Sequence, residues 1–374
     1  MSIATTIDPA TWFHRMREEK PLYFDSDISL FLGAKGAWQV FRYEDVRRGL
    51  DDFYPKGSPY DPSIHKQGSL PLRALINRAF APSIVQKLEE WISGYCERTL
   101  DALAPAGEMD FIKDFADPLL ATVIAQFLGV PESSHPQVIG WTAVFAGDPG
   151  TISLETSMKA QREMSELFTG LLSEREKEPW HDMVSHLLQT EIGGDKLSTA
   201  DLVSFCVGLL LAGAESTDGL LGNAMYTFIE HPEMQEHLRR CPADIPKAVI
   251  EVIRLRGPLM AVPRVIEEDQ QLDSLHLRKG ELVNLWMGSA NRDPSVFPEP
   301  DTFDINRDNS KMINFGYGIH FCLGNMLSKL ETRVALETIF RRMRNIRLVP
   351  GAVVTRTPNA GVFRLASLPI SFDI

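Results

Sequence analysis

The sequence lacks any apolar run of the ~20 residues that a membrane-spanning helix needs. Its longest such run, Leu202 to Ala214, is interrupted by Ser204 and ends at Glu215. The opening stretch, MSIATTIDPATWFHRMREEK, lacks a charged segment followed by an apolar one, so neither a signal peptide nor an anchor is expected there. Cysteine is scarce: 4 in 374 residues, at positions 96, 206, 241 and 322, with no CxxC and no zinc-ligand spacing. A disulfide framework is thereby disfavoured and a reducing compartment indicated. Positive charge is also short, with 38 Lys and Arg against 50 Asp and Glu, a net charge of −12. General nucleic-acid binding, which neutralises phosphates with Lys and Arg, is a poor fit. Internal repeats and low-complexity tracts are missing too. A cytoplasmic, membrane-free protein is expected.

Hydrophobic residues make up 44% of the chain, enough for a large core, and disorder is excluded. With no clear boundary to cut, one domain over 1–374 is expected. Gly36 to Phe41 alternates like a strand, and a helix follows over Tyr43 to Leu50. Residues 51–72 are rich in Pro, Gly and Ser and read as a long loop, of the kind that often carries function. From about 73 to 250 the pattern is nearly all helical. Short strands then read at Val262–Val265, Leu272–Leu277 and Leu282–Met287, before a last amphipathic helix from Leu323 to Met343. The class is mainly α with a minor β region.

Two segments are chemically unusual. A helix of about 30 residues starts at Ser198-Thr199-Ala200-Asp201, an N-cap box with a short acid, and stops at His231-Pro232. Its middle, Leu211 to Thr217, places small residues, an acid and two hydroxyls in an otherwise apolar helix. A buried carboxylate is costly unless partnered. The second segment is Phe315-Gly316-Tyr317-Gly318-Ile319-His320-Phe321-Cys322-Leu323-Gly324. Two glycines permit positive φ before the cysteine, and Gly324 permits close approach of a flat ligand. Cys322 stands at the start of the last helix, where the dipole and free N–H groups favour a thiolate. A single thiolate suggests an axial haem ligand rather than zinc, which takes three or four protein ligands.

This decapeptide resembles the haem loop of the cytochrome P450 family, Phe-Gly-x-Gly-x-His-x-Cys-x-Gly, at all six fixed positions. Glu251-Val252-Ile253-Arg254 matches the family's Glu-x-x-Arg, whose side chains face each other at i and i+3. The resemblance makes Arg307 the third member of that structural network. Trp38 to Val46 and Ala290 to Pro294 also resemble soluble bacterial members, so the likeness covers roughly 35–365. It implies a triangular helical prism, with haem b held between the long central helix and the Cys loop.

The remaining roles follow from the resemblance alone. Cys322 would be the axial iron ligand, with Phe315, Gly316 and Gly324 shaping its loop. Ala212-Gly213-Ala214-Glu215-Ser216-Thr217 corresponds to the oxygen-binding motif, in which Ala212 and Gly213 make room for dioxygen. Glu215, Ser216 and Thr217 would relay protons for O–O cleavage. Ser216 replaces the usual Thr and keeps the hydroxyl but loses the χ1 restriction, so the relay is expected to work with more leakage to peroxide. Ser216 could alternatively bond its own i−4 carbonyl, and Glu215 could alternatively be a structural carboxylate. Arg264, His320 and Arg73 would hold the haem carboxylates. Ser69 stands where many members have a His, so either one carboxylate is held differently or the loop carries an insertion. The substrate pocket would include Leu210, Ala214, Leu259, Met260, Val262 and Phe363, apolar side chains suited to a largely apolar molecule.

The implied activity is a haem-thiolate monooxygenase that hydroxylates or epoxidises a small organic substrate, in a biosynthetic setting. The alternatives are oxidative coupling, desaturation, nitration or peroxide-driven oxidation by the same centre, or a non-enzymatic haem sensor. Electrons would come from NAD(P)H through a separate ferredoxin or flavodoxin and its reductase. Lys311, Lys329, Arg333, Arg341 and Arg342 would form the steering patch for that partner, or else a scattered solvated face. A monomer is expected.

Overall fold

A computed structural model describes residues 7–29, 35–52, 80, 85–146, 152–180, 182–189, 191–192, 195–266, 268–272 and 275–374. Chain contacts divide it into two compact units. The first comprises 1–56, 246–322 and 355–364; the second comprises 57–245, 323–354 and 365–374.

The first unit is built on a four-stranded sheet. Its strands are Leu22–Ser29, Lys35–Val40, Leu282–Leu285 and Val262–Val265, in that order. Lys35–Val40 and Leu282–Leu285 pair in parallel, with Trp38 opposite Val283, and Arg264 faces Val283 across the next, antiparallel ladder. Helix Tyr43–Asp52 follows the second strand, and Val40, Val46, Leu50, Val283, Leu285, Phe297 and Ile313 close a shared core. Gln39 is buried in this sheet at 1% exposure, and its Oε1 accepts from Trp286 Nε1 at 2.8 Å and Asn284 Nδ2 at 3.2 Å. That pairing removes the penalty of a lone buried amide. Leu272–Leu277 is a hairpin of two short strands, Gln270–Leu272 and Leu275–Leu277, rather than one strand. The strand expected over Leu282–Met287 ends at Leu285, because Met287–Ala290 turns into a short helix.

The second unit is helical around Thr199–Glu230, and its N-cap chemistry follows the sequence reading. Ser198 Oγ accepts from the Asp201 N–H at 3.2 Å and donates to Asp201 Oδ2 at 2.6 Å. Helix Asp117–Leu128, apolar nearly all round and therefore buried, packs against it. Two glycines set how closely neighbours approach. A Cβ on Gly213 would stand 2.9 Å from Ile124 Cδ1, and one on Gly222 would stand 2.5 Å from Ile112 Cδ1. Leu154–Lys177 and Asn325–Arg342 pack on the same helix. A small sheet joins Arg344–Leu348, Pro369–Asp373 and Glu108–Asp110, the last a short strand inside the span 73–250 that reads as nearly all helical. Among the described residues no helix is long and apolar enough to cross a membrane.

Helix Asn325–Arg342 buries Leu327, Leu330, Val334 and Leu336 as expected, but also Glu331, at 2% exposure. Burial pushes the Glu331 carboxyl well above the usual carboxylate range. Folding therefore takes up a proton. The stability this group contributes is complete below its unfolded value of about 4.3 and is lost as pH rises through the folded value. Glu331→Gln is expected to flatten this slope. Urea midpoints of wild type and variant should diverge in the variant's favour from about pH 5 to pH 8. A constant difference across that range would show the buried carboxyl to be ionised throughout.

Candidate functional site

The Cys loop lies in the first unit and is shaped by its backbone. Gly316 and Gly318 adopt φ of +78° and +65°, conformations that residues with a Cβ disfavour. A single turn over Gly318–His320 then brings the chain back, and the Cys322 N–H donates to Phe315 O at 2.7 Å. Helix Asn325–Arg342 begins three residues later, with Gly324 at its N-cap. The thiols divide by environment. Burial pushes Cys96 and Cys206 up to about 12, which keeps them protonated and inert. Cys241 is exposed and Cys322 is half-buried.

Beside this loop stands a buried ionic network. Glu251 and Arg254 are fully buried and doubly bonded, through Arg254 Nε to Oε2 at 2.9 Å and Nη2 to Oε1 at 2.7 Å. Arg307 Nε donates to Oε1 at 3.1 Å, as do the Asp304 N–H at 3.1 Å and, to Oε2, Asn309 Nδ2 at 3.0 Å. Arg254 Nη1 continues to the carbonyls of Pro300, at 2.7 Å, and Asn291, at 3.0 Å. Asn291 carries the network onward: its Oδ1 accepts from the Ile313 N–H at 2.9 Å, and its Nδ2 donates to Asn314 Oδ1 at 2.6 Å. The segment entering the Cys loop is thus fixed to the Glu-Arg pair. Gly257 makes room for this, since a Cβ there would stand 2.2 Å from Asn314 Nδ2. Sequence reading finds Glu251, Arg254 and Arg307 but misses Asn291, Asn309 and Asn314, whose loop positions carry no periodic signal.

Arg264 and His320 are both half-buried in this unit, Arg264 on strand Val262–Val265 with Nη1 donating to Pro263 O at 2.9 Å. Arg73 and the loop 53–72 lie outside the described residues. Of the pocket candidates, Leu259 is 36% exposed and Val262 half-buried, whereas Met260 and Phe363 are packed inside at 2% and 1%. Leu259 pairs with Val362, and the Met260 N–H donates to Gly361 O at 2.8 Å.

In the second unit Ala212 to Thr217 continues the central helix without interruption. Thr217 is buried at 4% exposure and Leu210 at 0%. The side chains of Ala214, Glu215 and Ser216 lie outside the described residues. Gly213 has a contact that the motif reading does not supply, the close packing on Ile124. The expected basic patch also changes character. Arg333 pairs with Glu89 at 2.9 Å and with Glu337 at 2.9 Å, Arg341 with Glu97, and Arg342 with Glu97 and Asp101 at 2.6 Å each. These three charges are balanced locally by acids of helix Glu89–Leu103 and by Glu337.

The donor set fits a porphyrin-borne iron. Among the described residues no group of three or more His, Cys, Asp or Glu could hold a bare metal ion. A half-buried cysteine on a glycine loop, outside any such group, suits a metal that arrives with four equatorial ligands of its own. Two half-buried basic side chains of the unit that carries Cys322, Arg264 and His320, can answer the carboxylates of such a group.

The family model described as Cytochrome P450 matches residues 245–366. The chain is 31% identical to "Putative cytochrome P450 YjiB" of Bacillus subtilis (strain 168), over 97% of this chain and 93% of that protein. It is 33% identical to "Biotin biosynthesis cytochrome P450" of the same organism, over 98% and 96%. Among solved structures, that of CYP109E1 from Bacillus megaterium in complex with corticosterone aligns with a TM-score of 0.90 and 30% identity, covering 98% of this chain and 99% of that one.

Proposed function

The chain belongs to the cytochrome P450 family, whose members are haem b oxidoreductases fed from NAD(P)H through redox partners, and on that premise we propose that it inserts one atom of dioxygen into a small, largely apolar organic molecule. The observation that supports this most is the Cys loop: a half-buried cysteine presented by two positive-φ glycines and anchored through Asn291 to a buried Glu-Arg network. Bound haem supplies dioxygen reduction and oxygen-atom transfer. Cys322 Sγ would hold the iron of that group as a thiolate. Arg264 and His320 offset the charge of the haem carboxylates, with Arg73 as a third candidate. The Glu215 carboxylate takes up protons, and the Ser216 and Thr217 hydroxyls pass them on. Leu259 and Val262 are the pocket candidates that keep apolar surface exposed for a substrate.

Two relatives support an organic substrate: one is named for biotin biosynthesis and another was crystallised with corticosterone. The electron donor is proposed to be a separate ferredoxin or flavodoxin with its reductase. The test has two parts. The dithionite-reduced protein with carbon monoxide should show the strongly red-shifted Soret band of a thiolate-ligated haem. Turnover of a steroid and acyl-compound panel under isotopically labelled dioxygen should place one labelled atom in the product. A Soret band at the shorter wavelength of a neutral ligand in fresh protein would remove the chemical basis of the proposal. Turnover without label would transfer it to coupling or desaturation.

A further inference from the structure

Helix Tyr43–Asp52 carries three side chains at i, i+4 and i+8, one face of a helix, and all three meet the segment that ends at Cys322. Tyr43 Oη donates to Lys311 O at 2.8 Å. Arg47 Nη2 donates to Tyr317 Oη at 2.9 Å, and its guanidinium carbon lies 4.7 Å from the Tyr317 ring centroid. Asp51 lies so close to Gly318 that a Cβ there would stand 2.8 Å from its Oδ1.

The loop needs such an external hold. Gly316 and Gly318 lie on either side of Tyr317, both at positive φ, and glycine gives the backbone no stiffness of its own. Within the loop the restraints include three main-chain bonds, Gly316 N–H to Ile313 O, Phe321 N–H to Gly318 O and Cys322 N–H to Phe315 O. Tyr317 is the one side chain between the two soft hinges. Holding its ring limits how far the backbone between the two glycines can swing. Arg47 grips that ring twice, through its face and through its hydroxyl, which a planar guanidinium can do and an ammonium cannot.

We propose that Arg47 and Tyr317 form a positioning pair that holds the loop 315–322, and with it the Cys322 thiolate, against the haem iron. The inference rests on the function reading above and adds Tyr317, a variable position of the family motif, and Arg47, which lies outside it. Arg47 touches neither substrate nor iron; it acts through Tyr317.

The holoprotein tests it. The reduced carbon monoxide complex of each variant is followed as its red-shifted Soret band converts to the shorter-wavelength form that marks loss of the thiolate. Arg47→Ala should convert about tenfold faster than wild type, the factor that 1.4 kcal/mol represents. Arg47→Lys should resemble the Ala variant, and Tyr317→Phe, which keeps the ring but not the hydroxyl, should fall between. The double variant Arg47→Ala with Tyr317→Phe should be no faster than Arg47→Ala alone. Melting of the haem-free protein should stay at the wild-type temperature in all four. Wild-type conversion rates in Arg47→Ala, multiplicative rates in the double variant, or a parallel loss of haem-free stability would each overturn the pair. A wild-type protein with only the shorter-wavelength band would remove the function reading and the pair together. A normal wild-type band with indifferent variants removes the pair alone.

Discussion

Cys322→Ser should fold like the wild type and lose at least about 10³-fold in turnover, some 4 kcal/mol at 1.36 kcal/mol per decade. The folding half of this expectation comes from the loop. Its return is made by the Cys322 N–H to Phe315 O bond and by glycines at positive φ, none of which uses the sulfur. Serine keeps that backbone and offers a hydroxyl close in size. The chemical half comes from acidity. A thiol is a far stronger acid than an alcohol, which stays protonated and gives the iron no comparable electron donation. The reduced carbon monoxide spectrum should move to the shorter-wavelength Soret band, while far-ultraviolet circular dichroism stays unchanged. Retained activity with a red-shifted band would mean that another residue is the ligand.

Glu251→Gln should be far more damaging to the fold than to any chemical step. Glu251 accepts from Arg254, Arg307, Asn309 and the Asp304 backbone, and both it and Arg254 are at most 1% exposed. Removing one partner of a buried pair leaves the other charge without compensation, at a cost of about 3–5 kcal/mol. That approaches the whole stability of many domains. The loss should appear as a lower urea midpoint and poor recovery of haem-loaded protein. Arg254→Leu should be equally harmful on its own. Glu251→Leu combined with Arg254→Leu and Arg307→Leu should recover part of the loss, because the stranded charges are then gone. A Glu251→Gln protein with wild-type stability would show that the carboxylate's charge is unimportant there.

Parts of this network were legible in sequence for a plain reason. Glu251 and Arg254 sit at i and i+3 on one helix, so their pairing is local. The central helix was equally readable from the Ser198 cap to His231-Pro232. Elsewhere the reading stopped where contacts became long-range. Arg333, Arg341 and Arg342 looked like a steering patch because their neutralising acids, Glu89, Glu97 and Asp101, lie some 240 residues earlier. Asn291 looked like one polar loop residue among many, and only the fold shows it joined to Ile313 and Asn314. Helix Tyr43–Asp52 was predicted almost to its end, yet the target of its Tyr43, Arg47 and Asp51 face lies some 270 residues away.

Gly213 and Gly222 carry a mechanical consequence. Nine residues separate them, about two and a half turns, so they occupy opposite sides of the central helix. Ile124 presses into one and Ile112 into the other. Sliding the helix by one turn, about 5.4 Å, would bring Leu209 or Thr217 against Ile124 and Asp218 or Tyr226 against Ile112. Every one of those residues is larger than the notch it would have to fill. The helix is therefore keyed against sliding from both sides, and any motion that shifts it by a turn must first displace Ile124 and Ile112.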